Sequence, residues 1–311
     1  MIERQVVCAD LSRSIDDLHR DGFRLDVIYP ADEPHTAMLS KGREIVRLTS
    51  RPDLPPPDDA LPSFAAEFVV TGAGASPGHG RAGMLYRDLI PGRLGGRYIA
   101  SHILIPQGGA VGDWVHFHRL ALQMIYVRKG WVRVVYEDQG EPFLMHEGDL
   151  VLQPSEIRHR VLESSGGLEV IEISAPALHP TFAEHQLKLP NSPNPSRQFG
   201  EQRFLHHVAA KTAWTPFSGA EAQETAMRAA TAGLADVRTV RSDGATTIGF
   251  AAHDGELIFG FVLDGSAMLE FRGKHELHAA DSFVIPPGEN WGLTAVTGDF
   301  RLLHVTTAQL D

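Results

Sequence analysis

Cysteine is nearly missing: Cys8 stands alone in 311 residues, so no intrachain disulfide and no paired-cysteine zinc motif can form. Basic residues are outnumbered. Lys and Arg total 28 against 39 Asp and Glu, a formal charge of −11. That excludes partners recognised by a basic face, so no nucleic acid and no anionic membrane surface is expected. No apolar run approaches the roughly 20 residues of a spanning helix. The N-terminal stretch carries charges and no long apolar core, so no secretion signal is visible and the expected address is the cytoplasm. Phosphate-cradling motifs are missing as well, since no G-x-x-x-x-G-K-[ST] occurs. A G-x-G-x-x-G at 78–83 runs into Pro91 too soon for a dinucleotide-binding helix. A G-x-S-x-G at 74–78 has Pro77 after its serine, where an oxyanion hole needs a backbone N–H. Both read as chance matches in a Gly-rich loop.

What is there is core material and turns. Hydrophobic residues make up 43% and charged residues 22%, the proportions of a globular chain. With Gly 30 and Pro 20, the chain has turn residues in excess, which predicts short strands rather than long helices. Its length predicts about two domains. Residues 1–50 read as a small α+β unit, in the order βαβββ. An apolar strand at 5–9 leads to a helix with N-cap candidates at 10–14, stopped by Gly22, and strands follow at 24–29, 37–39 and 44–48. That order, with the phrase Asp21-Gly22-Phe23-Arg24-Leu25-Asp26, resembles one module of the glyoxalase/vicinal-oxygen-chelate superfamily. Such modules normally work in pairs with His and Glu ligands on their strands. Here the first strand offers no His and the last only Glu44, so the unit is read as structural or as a homodimer contact. Residues 51–83 read as linker and loop, Pro-rich and then Gly-rich. Strands punctuated by Gly, Pro or Asp fill 84–183. A Pro/Asn/Ser linker at 184–200 separates them from a second strand-rich block at 201–311, which points to internal duplication.

Sixteen histidines are many for this length, and three of them fall in a pattern. His116 and His118 lie two apart on a strand, so both imidazoles point to one face and can reach one ion. Gln123 begins the next apolar strand and can fold back beside them. After Gly130 comes a turn at Gly148, a strand, a corner at Pro154 and then His159. Three imidazoles with open positions make a transition-metal site. The spacing H-x-H-x4-Q-x6-G followed by G-x5-P-x4-H resembles the two signature motifs of the cupin superfamily. There are three departures: Gln123 stands where cupins usually carry Glu, Pro154-Ser155-Glu156 replaces P-x-G, and the entry glycine is displaced to Gly109. The resemblance implies a mainly β protein: two cupin barrels (double-stranded β-helix, jelly-roll) in tandem, with the small α+β module in front.

The second block repeats the rhythm without the chemistry. Aligning Gly265 with Gly130 and Pro286 with Pro154 puts Ala251, His253, Ile258 and Trp291 where His116, His118, Gln123 and His159 stand. The expectation is a bicupin whose barrel at 84–183 holds the metal and whose barrel at 201–311 holds none, with His253 a solitary pocket histidine. The other candidates are weaker. His102 could face the cavity or be a satisfied core histidine. Glu172 could be a general base or an exposed carboxylate. Trp114, on the approach to the motif, is a candidate substrate-binding wall. By alternation Phe117, Tyr126, Arg128 and Arg158 turn away from the pocket.

Replacing Glu by Gln removes one negative charge from the ligand set, which favours an anionic, chelating substrate such as an enolate, phenolate or carboxylate. Three-His iron centres of this superfamily bind such substrates together with O2. The leading expectation is therefore an Fe(II) dioxygenase cleaving a C–C bond of a small enolisable or hydroxy-aromatic anion. The first alternative keeps the site but uses Mn, Ni, Co or Zn as a Lewis acid in an isomerase, cyclase or lyase. The second is a metal-binding or small-ligand-binding bicupin without turnover.

Overall fold

The computed structural model describes residues 2–54, 60–79 and 83–310. The proline run at 55–57 and part of the G-x-G-x-x-G loop lie outside them.

The N-terminal unit forms from local signals. Asp10 caps the helix Leu11–Arg20 by accepting from the Arg13 N–H at 3.0 Å, and Gly22, at φ +85°, lets the chain turn out of it. The first strand is Ile2–Val7, running parallel to Glu44–Thr49, with Thr36–Lys41 and Arg24–Tyr29 completing the sheet. Leu11, Ile15, Leu39, Val46 and Leu48 close its core. The sheet does not end there. Val27 and Ile28 pair with Phe182 and Thr181, and strand Thr181–Ala183 in turn pairs with His116–Phe117. The unit is thus an extension of the first barrel's own sheet.

Each barrel is a sandwich of two antiparallel sheets. In the first, Leu122–Lys129 lies between Leu150–Leu152 and Leu168–Ala175, and Ile99–Ile105 follows. Strand alternation sorts their side chains. Ile103, Val127, Val151 and Val170 fill the barrel interior, while Leu122, Met124, Leu152, Ile171 and Ile173 face outward. That outer face packs on Phe259, Phe261, Leu303 and Val305 of the second barrel, in one shared core. At about 1.5–3 kcal/mol for each fully buried side chain, this contact holds the two barrels together. Two strands also change sides. Val69–Thr71 joins the second barrel by pairing with Ser282–Val284, and Leu205–His207 joins the first by pairing with Leu150–Leu152. The stretch 51–83, read above as linker and loop, therefore also supplies a strand. No described helix is long and apolar enough to cross a membrane.

The second barrel's interior is packed with rings. Phe250 pairs with Trp291 across two strands just as His116 pairs with His159, so the structural counterpart of His116 is Phe250, one position before the Ala251 of the motif alignment. The two rings stack at 3.9 Å and 4°. Gly260 makes room for a third ring, since a Cβ there would lie 2.2 Å from Phe283 Cζ. His304 occupies Glu172's place, opposite Gly260 as Glu172 is opposite Ile125. Its ring lies 5.0 Å from Phe250 and 5.7 Å from Trp291. His253 accepts at Nδ1 from the Gly255 N–H at 2.9 Å and caps that turn.

Burial pulls the pKa of His304 down to about 3. A histidine whose folded-state pKa lies below its unfolded value of roughly 6.5 takes up a proton on unfolding. Its contribution is full above that value and is lost as pH falls toward about 3. Denaturant unfolding of His304→Leu across this window should show a stability–pH slope shallower than that of the parent by about 1.4 kcal/mol per pH unit, one proton's worth. Equal slopes would place the proton uptake elsewhere.

Candidate metal centre

His116 ends up opposite His159 because the two adjacent strands pair at that register, and His118 follows by alternation. Ring centroids are 4.2 Å apart for His116–His159, 5.3 Å for His116–His118 and 5.5 Å for His118–His159. One nitrogen from each lies within 4.8 Å of the others, and all three residues are buried. Among the described residues this is the one group of three or more His, Cys, Asp or Glu side chains able to share an ion.

The second contacts decide what those rings can do. The Nδ1 of His116 lies 2.7 Å from the Trp114 carbonyl, that of His118 3.1 Å from Pro180 O, and that of His159 3.0 Å from Ile157 O. A carbonyl only accepts, so each Nδ1 carries the proton and each Nε2 keeps its lone pair. The carboxylate of Asp113 lies 3.6 Å from His116 Nδ1 and accepts the Val161 N–H at 2.9 Å, bracing the first ring. Burial, with three neighbouring imidazoles, holds His118 well below the usual histidine pKa. Neutral imidazoles locked in one tautomer, with lone pairs converging, are the donor set a divalent transition metal takes.

Gln123 lies on the wall facing the histidines, on strand Leu122–Lys129, and is buried. Its amide N–H donates to Glu172 Oε1 at 2.8 Å, which leaves the amide oxygen as the one atom able to ligate. Glu172 also accepts from the Ser174 hydroxyl at 3.1 Å and lines the cavity. The structure separates the remaining candidates from the pocket. His102 alternates to the outer face: its Nδ1 accepts from Arg87 at 3.1 Å, its Nε2 donates to Glu169 at 2.8 Å, and its ring packs on Phe261. Trp114 is not a wall of the cavity. Its indole packs against the N-terminal unit's core and the edge of His116, so its part in the site is its carbonyl.

The cavity measures about 110 Å3, several times the ~10–15 Å3 that one water needs. Ile99, Ile125, Val132, Val134 and Met145 form its apolar walls. Several polar residues there had no place in the motif reading, Ser101, Tyr136 and Arg160 among them, and three bear on the chemistry. Gln153 is 1% exposed, and neither its amide oxygen nor its nitrogen has a protein partner among the described residues. It was findable, as the polar residue that shares Val151's inward face just before Pro154. His179 follows a cis Ala175–Pro176 bond in an irregular segment, where no periodicity could flag it. Asp32 comes from a turn of the N-terminal unit, far away in sequence.

A family model described as "Cupin domain" matches residues 102–174 and 239–306. No curated protein matches the chain. Among solved structures, a putative glyoxylate-induced protein from Pseudomonas aeruginosa is similar at 14% identity, over 82% of this chain and 93% of that one, with a TM-score of 0.55. A variant of Bacillus subtilis oxalate decarboxylase matches at 12% identity, over 81% and 80% of the two chains, with a TM-score of 0.55. A variant of salicylate 1,2-dioxygenase from Pseudoaminobacter salicylatoxidans matches at 16% identity, over 82% and 87%, with a TM-score of 0.57. At these identities the likeness is one of fold.

Proposed function

The chain carries two cupin domains in tandem, and from that premise we propose that the first is a mononuclear metal-dependent enzyme, an Fe(II) dioxygenase. It would cleave a C–C bond of a small anionic chelating substrate, enolisable or hydroxy-aromatic. The observation that carries this reading is the ligand set itself: three imidazoles fixed at Nδ1 by carbonyls, with an amide where a carboxylate could stand. The ion, when bound, would supply a template and a redox relay between substrate and O2. His116, His118 and His159 would hold it, and the Gln123 amide oxygen would complete or tune the shell. Neutral ligands leave the ion's charge to the substrate, which selects an enolate, phenolate or carboxylate. Glu172, held by Gln123 and Ser174, lines the same cavity and is the group to take the proton of a hydroxyl that becomes an oxyanion. The aliphatic walls keep bulk water from the reacting anion. Oxalate and salicylate, the compounds in two neighbours' names, are both small anions with adjacent oxygens. They support the substrate class without choosing the reaction.

The test is O2 uptake by anaerobically prepared, iron(II)-loaded protein offered 1,3-diketones and hydroxy-aromatic acids. Consumption of O2 equimolar with substrate is the expected result. Turnover without O2 uptake, with Mn, Ni, Co or Zn as effective as iron, would overturn it in favour of Lewis-acid isomerase, cyclase or lyase chemistry.

A further inference from the structure

His179 is 4% exposed and lines the same cavity as the three histidines, its ring edge-on to His118 at 5.2 Å. Its Nδ1 lies 3.1 Å from the Pro176 carbonyl, so that nitrogen carries the proton and Nε2 is an acceptor. Nε2 is buried and has no protein partner among the described residues. A buried polar atom left unsatisfied is unfavourable, and a ligand that supplies the missing bond removes that cost. The N-terminal unit reaches the same place. The Ala31 N–H donates to His179 O at 3.1 Å, and the next residue, Asp32, also lines the cavity. Arg93 fixes the Asp32 carboxylate through an ion pair at 2.7 Å.

We propose that His179 and Asp32 form a subsite beside the three histidines that accepts a hydrogen bond from the substrate, so that the substrate carries a hydroxyl or amino group in addition to its chelating oxygens. This rests on the reading of the first barrel as a metal-dependent enzyme for a chelating anion. Two acceptors lining one small cavity reward a donor. A site built to pair with O–H or N–H rejects analogues that lack it, because its buried acceptors are then left bare. The subsite also gives the N-terminal unit a role in specificity, since one of its turns brings Asp32 to the pocket.

The test is anaerobic calorimetric titration of zinc-loaded protein with 2-hydroxybenzoate and with its ring-hydroxylated and ring-aminated derivatives, repeated on metal-free protein. The best donor-bearing derivative is expected to bind about tenfold tighter than the parent acid. His179→Phe and Asp32→Asn should each bring that ratio to within about twofold. The hydroxyl and amino series identify which donor is read. Equal binding of parent and derivatives, a ratio unmoved in either variant, or no binding of any ring acid would overturn the proposal. Dependence of binding on zinc is a separate readout: a donor preference that persists with no zinc dependence would sink the metal reading and leave the subsite standing.

Discussion

His118→Ala is expected to reduce bound metal from about one ion per chain to background after reconstitution with iron(II), measured by mass spectrometry on anaerobically handled protein. The size of the effect follows from the geometry. Three neutral donors converge from a paired register, each pre-aimed by a carbonyl on its Nδ1, so little ordering remains to be done on binding. Removing one ring leaves two imidazoles and an amide oxygen, and losing even a partner behind a ligand typically costs 10–100-fold in affinity. His253→Ala is the control: its histidine caps a turn in the second barrel, and metal content should not change. Metal retained at parental stoichiometry in His118→Ala would remove the three-histidine site from consideration.

Glu256→Ala should be the most destabilising single change at the contact between the barrels, at about 3–5 kcal/mol. Arg97 and Glu256 form a bidentate pair at 3.0 and 2.8 Å, with side chains only 9% and 6% exposed. Arg97 also donates to the carbonyls of Pro62 and Leu310, and Tyr98 donates to Glu256 at 3.0 Å. Truncating the carboxylate leaves the guanidinium without its counter-charge in the shared core, while the Tyr98 hydroxyl keeps Thr307 at 2.8 Å, and an uncompensated buried charge is what makes such truncations costly. Replacing the pair with Arg97→Met and Glu256→Leu should recover most of the loss, because the desolvation penalty disappears with the charges. Denaturant midpoints of the three proteins decide it. A single variant within 1 kcal/mol of the parent would mean that water reaches the pair.

The sequence alone determined much of this protein. Turn residues and strand-length apolar segments fixed the mainly β class, and the spacing from His116 to His159 picked out three histidines that the fold brings together in one barrel, because a period-2 strand commits alternate side chains to one face. The helix at 11–20 was legible from Asp10 and Gly22, since capping is a local interaction. That the second barrel carries other residues at the corresponding positions was legible too, except that the register of Phe250 against Trp291 corrected the alignment by one residue.

What only the tertiary structure decided is everything carried by pairing between distant segments. Val69–Thr71 and Leu205–His207 each complete a sheet in the other barrel, because a strand edge is satisfied by whichever backbone lies beside it and sequence distance does not enter. His102 and Trp114 left the candidate list once the register showed which way each faces. His179, Gln153 and Asp32 entered the pocket from a proline-kinked connection, a strand end and a neighbouring unit. Their residue types carried no signal, and they gain a shared environment only when the chain closes around the cavity. Local periodicity specifies which face a side chain takes, whereas the content of a cavity is a sum over segments that meet only in the folded state.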